Sequence, residues 1–86
     1  MAAKTNTTFE LLSLNDKEKL LLQCGIPVSR REANGFVITL YVLENTFFEA
    51  YFYMRSHEMV RAEMISEDNV YRQYQNFFNE SHKRVA

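Results

Sequence analysis

From Phe36 to Met54 the chain is apolar at alternating positions of both parities. Phe36, Ile38, Leu40 and Val42 interleave with Val37, Tyr41 and Leu43. After a break at Glu44-Asn45-Thr46, Phe47, Tyr51 and Tyr53 interleave with Phe48, Phe52 and Met54. Successive side chains of a strand point to opposite sides, so a strand with one wet face alternates apolar and polar residues. This segment predicts a hairpin with two apolar faces. The chain's own helices can cover one face; the surplus on the other points to association.

Turn signals divide the region into an antiparallel meander over residues 28–66. Asn34-Gly35 fits a type I′ hairpin turn, which requires positive φ at both central positions. It separates Val28–Ala33 from Phe36–Leu43. Glu44-Asn45 then leads to Phe47–Arg55, and Ser56-His57 to Met59–Ile65. Val28–Ala33 reads as an edge strand guarded by Arg30, Arg31 and Glu32, with an irregular loop as the alternative. The sheet therefore has three or four strands.

A helix is predicted on each side of the meander. Over residues 13–25, Ser13 with Asp16, or Asn15 with Glu18, fits an N-terminal cap. Leu14, Leu20, Leu21 and Cys24 form one apolar flank; Gly25 reads as a left-handed terminator and Pro27 as a barrier to resumption. Phe9, Leu11 and Leu12 either add a turn before the cap or pack as coil, and residues 1–8 read as a disordered lead. A long second helix is predicted over residues 67–84, opened by Ser66. Glu67 and Asp68 lie in its first turn and Lys83 and Arg84 at its end, which suits the helix dipole. Val70, Tyr74, Phe77 and Ser81 form one stripe and Tyr71, Phe78 and Val85 the next, the spacing of a core-facing helix.

Two-residue turns would place Leu40 opposite Glu49, Ile38 opposite Tyr51 and Tyr51 opposite Ala62, with Arg55 facing Glu58. One face then holds Phe36, Ile38, Leu40, Val42, Phe47, Tyr51, Tyr53, Val60, Ala62 and Met64 around Glu49, and is expected to meet both helices. The other holds Val37, Thr39, Tyr41, Leu43, Phe48, Ala50, Phe52, Met54 and Met59, with Arg61 and Glu63 at its margin; an apolar centre with a charged rim resembles an interface. Burying about 600 Å² of that face at about 25 cal/mol per Å² is worth roughly 15 kcal/mol before association costs. A helix on each face would remove the surplus. A one-residue error in a turn would exchange the memberships.

Composition narrows the functional classes. The chain has 86 residues, ten basic against eleven acidic, and a net charge of −1. That length fits one domain, and the balance argues against a partner held by nucleic-acid phosphates or anionic lipid. Cys24 is the single cysteine, so no intrachain disulfide forms; with no apolar run of membrane-spanning length and a polar Met1–Thr8, a cytoplasmic location is expected.

Candidate chemistry is sparse. Glu49, among apolar neighbours, has the setting of a general acid or base, but Arg31 is the first candidate to hold it in an ion pair, which is the stronger reading. His57, His82 and Cys24 have no metal-ligand spacing. Cys24 reads as a small buried side chain. Arg30, Arg31, Arg55 and Arg61, with Lys83 and Arg84, beside Tyr and Phe could bind a nucleic-acid single strand by stacking, although Glu32, Glu58, Glu63, Glu67 and Asp68 dilute such a patch. No phosphate-binding loop, nucleophile triad or zinc signature is present, so the chain is not read as an enzyme and no cofactor or metal is implied.

Leu12-Ser13-Leu14, Gly25, Arg31, Gly35, Leu40-Tyr41-Val42-Leu43 and Phe47-Phe48-Glu49 form a pattern that resembles short uncharacterised bacterial proteins built as helix, strand meander and helix. The resemblance covers about half the chain. It implies a bacterial cytosolic origin and no assigned activity.

The expectation is thus an α+β domain, with the long C-terminal helix packed on one sheet face. Its expected role is that of a small interaction or regulatory protein. It would form a homodimer, or meet another protein, through the remaining face or an edge strand, with Val37, Tyr41, Phe48, Phe52 and Met54 at the contact. Single-stranded nucleic-acid binding is the alternative.

Overall fold

The computed structural model describes residues 9–74. A helical turn at residues 9–11 precedes helix α1 (Leu14–Cys24). Strands β1 (Ile26–Ala33), β2 (Phe36–Leu43), β3 (Thr46–Tyr53) and β4 (Met59–Ile65) follow, and then helix α2 (Glu67–Gln73). The strands form one antiparallel sheet in the order β1-β2-β3-β4. The α+β class and the meander expected from the turn signals are present.

The first two turns are the two-residue turns expected between the apolar runs, and both take positive φ at their two central positions. Asn34 and Gly35 have φ of 54° and 83°, and Glu44 and Asn45 have 49° and 62°, the mirror-image turn that matches strand twist. The second turn fixes β2 against β3 with Leu43 opposite Thr46, Leu40 opposite Glu49 and Ile38 opposite Tyr51, the expected register. Val28–Ala33 is indeed a strand, extended back through Pro27 to Ile26. Proline is tolerated there because β1 is an edge.

The third turn differs from expectation. It spans residues 54–58, with the Tyr53 N–H on the Glu58 carbonyl and the His57 N–H on the Tyr53 carbonyl. Tyr51 faces Arg61 and Phe52 faces Met59, so Val60 is the extra residue of a β-bulge. Arg55 lies in the turn and does not face Glu58 across the ladder. The bulge moves Arg61 and Glu63 onto the face of Glu49, and Ala62 and Met64 onto the opposite one.

The helices cover opposite faces rather than sharing one. Phe9, Leu12, Leu20 and Leu21 pack on Tyr41, Leu43, Phe48, Ala50, Met59 and Ala62. Val70 and Tyr74 pack on Leu40 and Ile65, with Val28 and Phe47 at the margin. The expected face assignment is therefore reversed: the Tyr41–Phe48 side is the larger core, under α1. Lys17 ties α1 to β4, its Nζ donating to the Ala62 carbonyl at 3.3 Å and lying 5.3 Å from the Phe9 ring centre.

Caps set the helix limits. Ser13 Oγ accepts from the Asp16 N–H, and Ser66 Oγ from the Asn69 N–H. Helix α2 is short, ending at Gln73 instead of running to residue 84. Tyr74 has left helical geometry at φ −124° and ψ 43°, and the aromatic segment around it has modest helix propensity. The expected contributions of Phe77, Phe78, Ser81, Lys83, Arg84 and Val85 lie outside the described residues, as does the expected disordered lead at residues 1–8. Of the proposed flank of α1, Leu21 is buried, whereas Leu14 and Cys24 are exposed. Gly25 is extended (φ −77°, ψ 152°), not left-handed. Its lack of a side chain is required by space, since a Cβ would sit 2.7 Å from the Leu21 carbonyl oxygen and 3.1 Å from Tyr41 Cδ1.

The two glycines should respond differently to substitution. Gly35→Ala is expected to cost about 1–2 kcal/mol from left-handed strain alone, because a Cβ there meets nothing within 4 Å; Gly35→Asn should recover most of it. Gly25→Ala should cost a similar or larger amount by overpacking, and Gly25→Asn should be no better. Urea unfolding of the four variants checks this.

Candidate functional site

Glu49 is the one buried charged residue among those described, at 3% exposure. It stands on β3 opposite Leu40 on one side and Glu63 on the other. An unpaired carboxylate in such surroundings costs several kcal/mol, so donors are brought from distant parts of the chain. Tyr74 Oη, at the end of α2, donates to Glu49 Oε2 at 2.6 Å. Arg31 Nη2, on β1, donates to the same oxygen at 3.2 Å. The shorter contact has the length of a charge-assisted O–H···O⁻ bond. The Arg31 guanidinium carbon also lies 5.6 Å from the Tyr74 ring centre.

The electrostatics follow from that enclosure. Burial, followed by the hydrogen bond to the Glu49 carboxylate, raises the Tyr74 hydroxyl well above the usual tyrosine value. Burial opposes the Arg31 charge, but its contacts with Tyr74 and Glu49 outweigh that and raise its pKa. Arg31 Nε is buried with no hydrogen-bond partner, so the guanidinium meets the carboxylate through one arm and not as a bidentate fork. The sequence-expected pair of Glu49 and Arg31 is brought together. Tyr74, which the sequence pattern places only in an apolar stripe, is its third member. The demand of a buried carboxylate for a second donor was the available signal. Glu49 is enclosed and its Oε2 is engaged twice, so among the described residues the cluster ties β1, β3 and the end of α2 together.

The expected interface residues are distributed differently. Phe48 is fully buried and Tyr41 is 7% exposed, both under α1, with the Phe48 ring centre 4.4 Å from that of Phe9. Neither is available to a partner. Phe52 is half-buried against the same core, and Val37 is half-buried on that face. Met54 is exposed in the third turn. His57 is exposed in that turn too, and His82 lies outside the described residues.

A second cluster occupies the Glu49 face near the Asn34-Gly35 turn. Phe36 and Tyr53 face each other across the ladder, ring centres 5.4 Å apart and planes 20° from parallel. Tyr51 meets Phe36 edge-on at 6.1 Å. Arg61 lies 5.2 Å from the Tyr51 ring centre and is held by Glu63 at 2.8 Å. Burial, together with the Glu49 and Glu63 charges, raises the Tyr51 pKa. Tyr53 is 48% and Met54 40% exposed. Beside them is an open depression of about 480 Å³ lined by Gly35, Tyr53, Met54, Arg55 and Ser56.

Comparison with protein-family models, curated proteins and solved structures finds no match for the chain. The resemblance to short bacterial proteins therefore stands on its residue pattern alone. No helix among the described residues is long and apolar enough to cross a membrane.

Tyr74→Phe keeps the ring and removes the donor, and should lower stability by about 1.5–3 kcal/mol. The pH dependence has a definite sign. Because the folded-state pKa of Tyr74 is raised, its contribution is complete below the unfolded value near 10 and is lost as pH rises from there toward the folded value. The stability gap between wild type and Tyr74→Phe should hold at pH 7–9 and narrow above pH 10, as measured by urea unfolding at each pH.

Proposed function

We propose that this protein is a small, non-catalytic interaction module that self-associates through the exposed aromatic end of its sheet. The observation that carries the reading is the Phe36–Tyr53 stack, with Tyr51 and Met54 beside it, at a place the described parts of α1 and α2 leave uncovered. Aromatic residues, methionine and arginine are the types enriched where proteins meet. The contact thus moves from the Tyr41–Phe48 side to the opposite face, while Met54 stays part of it.

A second copy is the occupant that the charges favour. The rim carries both signs, Arg55 and Arg61 with Glu58 and Glu63, and a two-fold contact lays such a rim against itself so that unlike charges meet. A net charge of −1 adds little repulsion. Size sets the strength. An aromatic side chain buries about 150–250 Å² when fully covered, so these part-exposed groups offer on the order of 300 Å² per copy. Stable complexes use about 800 Å² per partner. The association is therefore weak and concentration-dependent, suited to regulating a partner by occupying a surface. The cytoplasm fits the single, unpaired cysteine.

Single-stranded nucleic acid is the second reading, favoured by the ring stack and by Arg61 over Tyr51 and opposed by Glu63 and the absence of a basic excess. Sedimentation equilibrium from about 10 µM to about 1 mM, the range of weak association, should show mass rising with concentration. Tyr53→Glu should return a folded monomer. A wild type that stays monomeric across the range would overturn self-association, and salt-sensitive retention of a labelled single-stranded oligonucleotide would assign the rings to nucleic acid instead.

A further inference from the structure

We propose that the depression beside the Asn34-Gly35 turn is a binding site for a small aromatic carboxylate, with the ligand's ring on Tyr53 and Met54 and its carboxylate on Arg55 and Ser56. The hollow, about 480 Å³, has the size of a small-molecule site. Its walls come from one short stretch, Tyr53 to Ser56, and from Gly35 on the neighbouring turn. The Met54 N–H donates to the Gly35 carbonyl at 3.1 Å, which fixes the two sides against each other. Gly35 brings no side chain, and a Cβ there would meet nothing within 4 Å, so the space stays open.

The lining specifies the ligand. Tyr53 is 48% exposed although Phe36 stacks on it, and Met54 is 40% exposed. A tyrosine ring and a thioether side by side are favourable partners for another ring. The polar groups of the hollow are both donors. Arg55 is exposed and has no ion pair among the described residues. Ser56 Oγ accepts from the Glu58 N–H at 3.3 Å, and its own O–H has no acceptor among the described residues. A guanidinium and a hydroxyl with donors to spare match a carboxylate. An inorganic anion would leave Tyr53 and Met54 wet, and an uncharged ring would leave both donors to water. Because Arg55 is exposed, the charge adds a few-fold to binding and the ring supplies the rest.

Amide chemical-shift titration of the full chain with indole-3-acetate tests the site, with indole-3-acetamide as the uncharged control. Binding does not rest on self-association, although Tyr53 and Met54 serve both. At about 50 µM protein, weakly associating copies stay largely apart, so the titration and the sedimentation result can fail separately. Saturable shifts should centre on Gly35, Tyr53, Met54, Arg55 and Ser56, and the acid should bind about threefold or more tighter than the amide. Arg55→Gln should abolish that difference while ring binding remains. Gly35→Asn, which tolerates the left-handed turn but fills the hollow, should weaken both ligands about fivefold or more with the rest of the spectrum unchanged. Shifts that do not saturate, or that spread over the sheet without centring on these five amides, would overturn the site. Equal binding of acid and amide would overturn its assignment to a carboxylate.

Discussion

The constraint on which the structure depends is that the central hairpin is apolar on both sides. Once the Glu44-Asn45 turn sets Leu40 against Glu49 and Tyr41 against Phe48, two apolar faces exist and neither can be left to water. The chain answers by sending its helices to opposite sides. Length limits how far that works. An eight-residue strand spans about 26 Å, whereas eleven helical residues cover about 16 Å and seven about 10 Å. Among the described residues, α2 packs on Leu40 and Ile65, with Phe47 at the margin, and Tyr53 at the strand end near Gly35 stays exposed on that face. The exposed Tyr53 and the stacked Phe36 follow from this mismatch between strand and helix length. With a helix on each face, the surplus expected on the Tyr41–Phe48 side is absent, and what stays exposed is part of the aromatic end on the other face.

Glu49 looks at first like an error in an apolar row, and its partners show what it does. A one-residue slip of β3 would carry the carboxylate to the α1 face, among Phe9, Leu21 and Tyr41, with neither Arg31 nor Tyr74 in reach. The register that keeps it paired is the one that seats Phe48 in the core. Replacing such a cluster by apolar residues can be energetically neutral, so its value lies in specifying one arrangement: strand register, the face taken by α2 and the point where α2 ends all meet at one oxygen atom. The cluster at Glu49 and the aromatic end are separate features of the same face, the first closing it under α2 and the second leaving it open.

Much of this fold was legible because its turns have explicit chemistry. Asn34-Gly35 announced positive φ, and a two-residue loop at Glu44-Asn45 set the β2–β3 register residue by residue, although the positive φ of Glu44 has no signature in a glutamate. The Ser13 and Ser66 caps were legible for the same reason. The third turn was not. A bulge at Val60 has no side-chain signature, yet that one extra residue exchanged the two faces of β4 and placed Arg61 and Glu63 beside Tyr51 and Glu49. The Arg31–Glu49 pair could be foreseen because a carboxylate in an apolar strand requires a cation. Tyr74 could not be separated from the apolar stripe by spacing alone, since the stripe fixes where a ring points and says nothing of its hydroxyl. The division of the helices between two faces was a question of coverage that periodicity does not answer.

The edges of the sheet decide what form association can take. An open strand edge invites pairing through backbone hydrogen bonds, and both edges here are blunted. Strand β1 carries Pro27, which lacks a donor, then an irregularity between Pro27 and Ser29, with Arg30 and Glu32 beyond it. Strand β4 carries the Val60 bulge, and Lys17 occupies the Ala62 carbonyl. Two edge strands interrupted in the same manner leave little uniform ladder for another strand to extend. In the association proposed above, a second copy would then be met by side chains, those of the rings at the end that the described parts of the helices leave uncovered. Contact of that kind is small in area and reversible, which separates a regulatory encounter from a permanent oligomer.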